Sequence, residues 1–177
     1  MDGPAMTPED RLRALGLELP APPVPVAAYS LAVRTGDLLY LSGTTCYRDG
    51  QPMYRGKVGR DLTVEQGYDA ARQTGLNLLA VLRQAVGRLE LVDQVVKVNG
   101  YVNSAAGFTD QPAVIDGASD LMRAVFGERG RHARTSVGVA ELPGDIPVEI
   151  EMIVELSPAI DQGERTEGSP DGEGHRP

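Results

Sequence analysis

The amino-acid sequence predicts an α+β fold, a mixed sheet with two helices on one face, from three observations. The elements read in the order strands, helix, strand, helix, two strands, which suits helices gathered over a single sheet. Residues 63 to 87 carry apolar side chains at three- and four-residue steps between two helix caps. Residues 93 to 103 and 148 to 155 alternate apolar and polar side chains, as strands do.

Each element has its own signal. Thr7 followed by Pro8 and two acids predicts a short N-terminal helix, and a proline-rich connector leads from it to Tyr29. Two apolar runs joined by Thr35-Gly36-Asp37 predict a β-hairpin over 29 to 43. A second turn is expected at Asp49-Gly50, with a short edge strand near Met53 to Arg55. Thr63 and Gln66 form a capping-box pattern, and Gly87 closes that helix. Its stripe runs through Val64, Tyr68, Ala71, Gly75, Leu78, Leu82 and Val86, where Ala71 and Gly75 would let it approach a sheet closely. In the strand that follows, Val96, Val98, Gly100 and Val102 share one face, with Val95, Lys97, Asn99 and Tyr101 on the other. A second helix starts near Asp110 or Gln111, has Pro112 in its first turn and ends at Gly127. The last two strands read as an antiparallel pair joined by the turn LPGDIP. The chain thus divides into a segment 1–28 with the short helix and connector, a domain 29–156, and a tail 157–177. That tail is rich in Gly, Pro, Ser and acids and reads as disordered.

Composition narrows the function. With 177 residues and 41% hydrophobic content, one domain with a proper core is expected. The net charge of -8 opposes nucleic-acid phosphates. The single cysteine, Cys46, can make no internal disulfide, and no apolar window has the length of a membrane span, so a cytoplasmic location is expected. No metal-ligand cluster is apparent, and the GKVG stretch at 56 to 59 lacks the spacing of a phosphate loop and reads as loop. A sheet covered on one side by helices leaves a second, partly apolar face, and packing of that face against other copies predicts a homo-oligomer.

The segments LYLSGT, VVKVNGYVNS and FGERGRHARTSVGVAELPGDIPVEIEMIVEL, with the tyrosine of AAYSLAVRTG, resemble the RidA family, also called YjgF/YER057c/UK114. The GASDL of the second helix is most similar to its subgroup with an N-terminal extension. The resemblance implies a chorismate-mutase-like fold and a homotrimer whose sheets build a central barrel, with an active site in each cleft between subunits. It further implies cofactor-free hydrolysis of reactive 2-imino and enamine acids to 2-oxo acids and ammonia. By the same resemblance Arg134 matches the arginine that grips the substrate carboxylate, and Glu149 the glutamate that handles the attacking water. Tyr29 matches the pocket tyrosine, Ser42 and Gly43 its Ser-Gly loop, and Ser136 stands where that branch usually has a cysteine contacting ligand through its backbone.

Chemistry agrees with such a pair. A guanidinium offers two parallel donors to a planar carboxylate, and an imine carbon beside that carboxylate needs mainly a positioned water and a proton acceptor. Each residue also has a plainer reading. Arg134 would serve a salt bridge at a strand end or between subunits, Glu149 would be an exposed strand residue, and Glu151 is a rival carboxylate on the same face. Tyr29 would be a core or interface aromatic, Ser42-Gly43 a turn, Cys46 a small buried residue, and His132 a local cap or pairing partner. Two further functions stand beside the deaminase: a carboxylate-binding trimer without turnover, and an endoribonuclease or translation inhibitor, which the acidic charge disfavours.

Overall fold

A computed structural model of the chain describes residues 6–22 and 28–158. Part of the connector and nearly all of the expected tail lie outside the described residues. Five strands form one mixed sheet in the order Ala32–Thr35 (β1), Leu38–Thr45 (β2), Val148–Leu156 (β7), Val92–Asn103 (β5), Ala133–Val139 (β6), and two long helices cover one face of it. The helix α1 (Pro8–Ala14) has the expected cap: Thr7 accepts from Asp10 N and Asp10 returns the bond. Glu9 accepts from Leu89 N at 2.7 Å and Leu12 is buried, so α1 is fastened to the domain.

The hairpin of β1 (Ala32–Thr35) and β2 (Leu38–Thr45) forms as expected. The small strand after it differs. β3 (Tyr47–Arg48) pairs with β4 (Gln51–Pro52), two residues earlier than the expected Met53 to Arg55. Asp49 (φ 51°) and Gly50 (φ 75°) are both left-handed, and such a tight two-residue turn starts the return strand at once.

α2 (Val64–Val86) has its capping box from Thr63 and Gln66 and ends at Gly87, as read. Its buried surface exceeds the expected stripe because it faces two neighbours. The approach assigned to Gly75 is made to α3 (Gln111–Phe126) and not to the sheet. A Cβ on Gly75 would meet Leu121 Cδ2 at 3.0 Å, and one on Gly117 would overlap the Tyr68 carbonyl, so the two helix backbones pass too close for side chains there.

β5 (Val92–Asn103) reverses one expected assignment: Val95 is fully buried and Val96 is 37% exposed. Its register against β7 (Val148–Leu156) shifts between Val95 and Lys97, and a bulge of this kind turns the alternation over. The closing pair also needs correction. β6 (Ala133–Val139) runs parallel to β5, α3 forming the crossover, while β7 lies antiparallel between β2 and β5. The two last strands therefore do not form a hairpin, because β5 separates them.

The loop between them is clamped. Lys57 Nζ donates to Asn103 Oδ1 at 2.6 Å and to the Ala140 carbonyl, and pairs with Glu141 at 3.2 Å. Asn103 is fully buried and donates onward to Asp145 at 3.1 Å, and Gly56 N donates to the Asp145 carbonyl at 2.7 Å.

Candidate functional site

β7 alternates cleanly, so Val148, Ile150, Met152 and Val154 enter the core and the residues between them emerge on the open face. Glu149 emerges beside β2. There the pairing of β2 with β7 slips between Leu41 and Thr44, and this bulge places Gly43 under the Glu149 side chain. A Cβ on Gly43 would overlap Glu149 Oε1 and lie 3.0 Å from Cδ. A side chain here would displace the carboxylate, which occupies its space.

Glu149 opens into a cleft of about 800 Å³, shared with Tyr29, Gly43, Thr45, Asn77 and Ile146 among others. Ser42 lies at its rim and builds it: its N–H donates to the Leu31 carbonyl at 2.9 Å and its hydroxyl to the Ser30 carbonyl at 2.7 Å, which holds the Tyr29 segment against β2. Asn77 stitches α2 below it to the β2–β3 corner, donating to Thr45 O at 2.7 Å and Tyr47 O at 2.8 Å.

Electrostatics separates the two carboxylates of β7. Burial, and then the neighbouring Glu151 charge, push the Glu149 carboxyl above its ordinary value. No described residue donates a hydrogen bond to it. Glu151, by contrast, is satisfied, accepting from Asn99 Nδ2 at 2.8 Å and Tyr101 OH at 3.0 Å. Of the two, Glu149 is the one free to exchange a proton with a ligand.

Arg134 and Ser136 are elsewhere. They sit on the edge strand β6 and face the helices, whereas Glu149 faces the open side. Arg134 pairs in register with Val98 and Val98 with Met152, so Glu149 lies about 10 Å across the sheet and about 10 Å along it, on the other face. Arg134 Nη1 donates to Asp116 Oδ1 at 2.6 Å and to Ser119 Oγ at 3.1 Å. Its other edge, Nε with Nη2, has no partner among the described residues. His132 extends this group: Nδ1 meets the Gly130 carbonyl at 2.7 Å and Nε2 the Ser119 hydroxyl at 3.0 Å. The carbonyl requires a proton on Nδ1, so Nε2 accepts from Ser119, and Ser119 in turn accepts from Arg134. Ser136 Oγ is buried without a partner among the described residues. A single chain thus gathers Tyr29, Ser42, Gly43 and Glu149, and holds Arg134 and Ser136 apart from them.

The family model described as "YjgF/chorismate_mutase-like, putative endoribonuclease" matches residues 9–154. The chain belongs to the YjgF/RidA family. A relative, "Protein TCP17" of Trypanosoma cruzi, is 44% identical over 82% of this chain and 92% of its own length. A 2-iminobutanoate/2-iminopropanoate deaminase of Dermatophagoides farinae is 32% identical over 78% of this chain and 93% of its own. Among solved structures, the protein Atu1372 of Agrobacterium tumefaciens matches with TM-score 0.78 and 41% identity, covering 85% of this chain and 92% of that one. A "putative endoribonuclease" of Shewanella oneidensis MR-1 matches with TM-score 0.83 and 37% identity over 85% of this chain and all of the other. The YjgF/RidA match begins at Glu9 and so takes in α1.

Sequence reasoning missed Asn77, Tyr47, Asp49, Ile146 and the segment 20 to 22 as parts of the cleft. Asn77 alone gave a usable signal, an amide inside an otherwise apolar helical run. Among the described residues no cluster of His, Cys, Asp and Glu is arranged to hold a metal, and no helix is long and apolar enough to cross a membrane.

Proposed function

We propose that the protein is a hydrolytic deaminase of reactive 2-imino and enamine acids, working as a homotrimer in which each active site is shared by two chains. The observation that carries this reading is Glu149, an unpaired, half-buried carboxylate above Gly43 whose affinity for protons is raised by burial. A carboxylate with raised proton affinity holds an abstracted proton better.

The reaction asks little else of the protein. Glu149 takes a proton from water as the water oxygen bonds to the imine carbon, and the C=N electron pair moves to nitrogen, which takes that proton from Glu149. In the carbinolamine the hydroxyl proton passes through Glu149 to the amino nitrogen, so the C=O forms as the C–N bond breaks, the pair leaves with nitrogen as ammonia, and a 2-oxo acid remains with Glu149 ionised again. The substrate carboxylate needs a cation, and the cleft of one chain has none on its walls: its ionisable lining is Asp49, Glu149 and two tyrosines. Arg134 of a neighbouring copy would supply it. The bond to Asp116 uses one guanidinium nitrogen and orients the group, leaving the Nε–Nη2 edge as a two-pronged donor. The mixed open face, with Tyr40 and Val137 more than 40% exposed, gives the surface through which copies would meet.

A second reading, a trimer that binds carboxylates without turnover, draws on the short Arg134–Asp116 contact, which could also serve architecture alone. Nuclease activity is disfavoured by the acidic cleft and the net charge of -8. The deciding experiment measures 2-oxo acid and ammonia release from imines generated in situ. The proposal expects turnover above the buffer rate that is lost in Arg134→Ala and Glu149→Gln. Equal rates for wild type, variants and buffer would defeat it.

A further inference from the structure

Arg134 and Asp116 make a smaller contact than their groups allow. A guanidinium and a carboxylate readily close a two-pronged fork. Here Arg134 Nη1 meets Asp116 Oδ1 at 2.6 Å, while Asp116 Oδ2 and the Nε–Nη2 edge of Arg134 have no partners among the described residues. Burial of the carboxylate does not account for this, because the Asp116 side chain is half exposed. Ser119 does. It lies three residues along α3 from Asp116, on the same helical face. Nη1 carries two protons, and Ser119 Oγ takes the second at 3.1 Å. Ser119 accepts there because its own proton is directed to His132 Nε2 at 3.0 Å, and Nε2 accepts because the Gly130 carbonyl, 2.7 Å from Nδ1, holds the ring proton on that nitrogen. The origin of this chain is fixed in turn: a Cβ on Gly130 would overlap the Met122 carbonyl, so the backbone there is packed directly on α3.

We infer that Ser119 and His132 are positioning residues that keep Arg134 from closing a fork on Asp116, and so keep its Nε–Nη2 edge open for the carboxylate of a 2-imino or 2-oxo acid. This rests on the deaminase reading for the identity of that ligand. Without Ser119 the guanidinium is free to reorient until both Asp116 oxygens are engaged, and a substrate must then displace a carboxylate already in place. Such a loss falls on substrate and transition state alike, and so appears in KM.

The test uses the full chain with Ser119→Ala, His132→Phe and Asp116→Asn, the first two made alone and together with the third. Alanine suits a helix interior, so Ser119→Ala is expected to fold, with a thermal melt as the check. The readouts are calorimetric binding of pyruvate, which needs no turnover, and kcat and KM for the alanine-derived imine made in situ. Ser119→Ala should weaken pyruvate and raise KM by about tenfold or more, as for a lost charge-assisted hydrogen bond, and change kcat less than about threefold. His132→Phe should shift both constants the same way by less. Asparagine has one acceptor oxygen and cannot close the fork, so in the Asp116→Asn background Ser119→Ala should weaken pyruvate less than about threefold. A serine that served packing alone would show no such recovery. Should Ser119→Ala melt far below wild type, His132→Phe decides by the same comparison. Unchanged pyruvate binding and KM, or a loss equally large in the Asp116→Asn background, overturns the inference and leaves the deaminase reading intact. Absence of turnover with pyruvate binding that follows the expected pattern overturns the deaminase reading and leaves the control of the fork. Neither turnover nor pyruvate binding by wild type overturns both.

Discussion

Gly43→Ala adds one methyl group at the point where Glu149 crosses the β2 bulge. The added carbon would overlap Oε1 and crowd Cδ at 3.0 Å and Cγ at 3.1 Å. Carbon contacts settle near 3.5 to 4 Å, so the carboxylate must retreat by about 1 Å or more. The side chain is flexible and the cleft is open, so this retreat should cost less than about 1 kcal/mol of stability, under about 4 °C in Tm. Activity should fall much further, because a misplacement of about 1 Å costs on the order of 100-fold in rate. A displaced Glu149 also meets more water, so the acid limb of the kcat/KM profile should move down toward the ordinary carboxylate range. The assay is 2-oxo acid release across pH, beside a thermal melt and a cycle with Glu149→Gln. In that cycle Gly43→Ala should do nothing further once Glu149 is gone. Unchanged kcat/KM in Gly43→Ala, or a full additional loss on top of Glu149→Gln, refutes the role given to this contact.

Other outcomes follow from the same geometry. Co-refolding equal amounts of Arg134→Ala and Glu149→Gln chains should restore about one quarter of wild-type activity if each site takes one residue from each of two chains, and none if both come from one chain. Glu149→Gln should raise Tm at pH 7 to 8: burial penalises its charge in the fold, a penalty present above the unfolded value of 4.5 and absent below it, so the gain should vanish as pH falls through that region. His132 behaves the other way. Burial lowers its proton affinity from 6.5, so its contribution is complete above that value and lost as pH falls below it; His132→Gln should flatten the dependence of unfolding free energy on pH there, by at most about 1.4 kcal/mol per pH unit.

Local chemistry was readable wherever one residue decides an element. Thr63 with Gln66, Gly87 and Pro112 placed both long helices, and the alternation of β7 put Glu149 and Val148 on opposite faces. What sequence could not show was set between distant segments. The parallel placing of β6 follows from where α3 lands, which no pattern inside ARTSVGV records. The bulge in β5 that buries Val95 arises from its register with β7, and runs of valine look alike on either face. For the site, family-like motifs pointed to Arg134 and Glu149 equally, yet the strand pairing keeps them on opposite faces of the sheet within one chain. Pro20 and Pro22 carried no signal, since prolines in a connector read as spacing.

The clamp of Lys57, Asn103 and Asp145 has a thermodynamic consequence for ligand capture. The loop with Pro143 and Ile146 is tied at both ends to buried or backbone partners, so its ordering happens when the chain folds. A molecule arriving at that side meets a preorganised surface, and its affinity is not diluted by loop immobilisation. Loosening Asn103, whose side chain bonds Lys57 and Asp145, would transfer that entropic burden to the binding step.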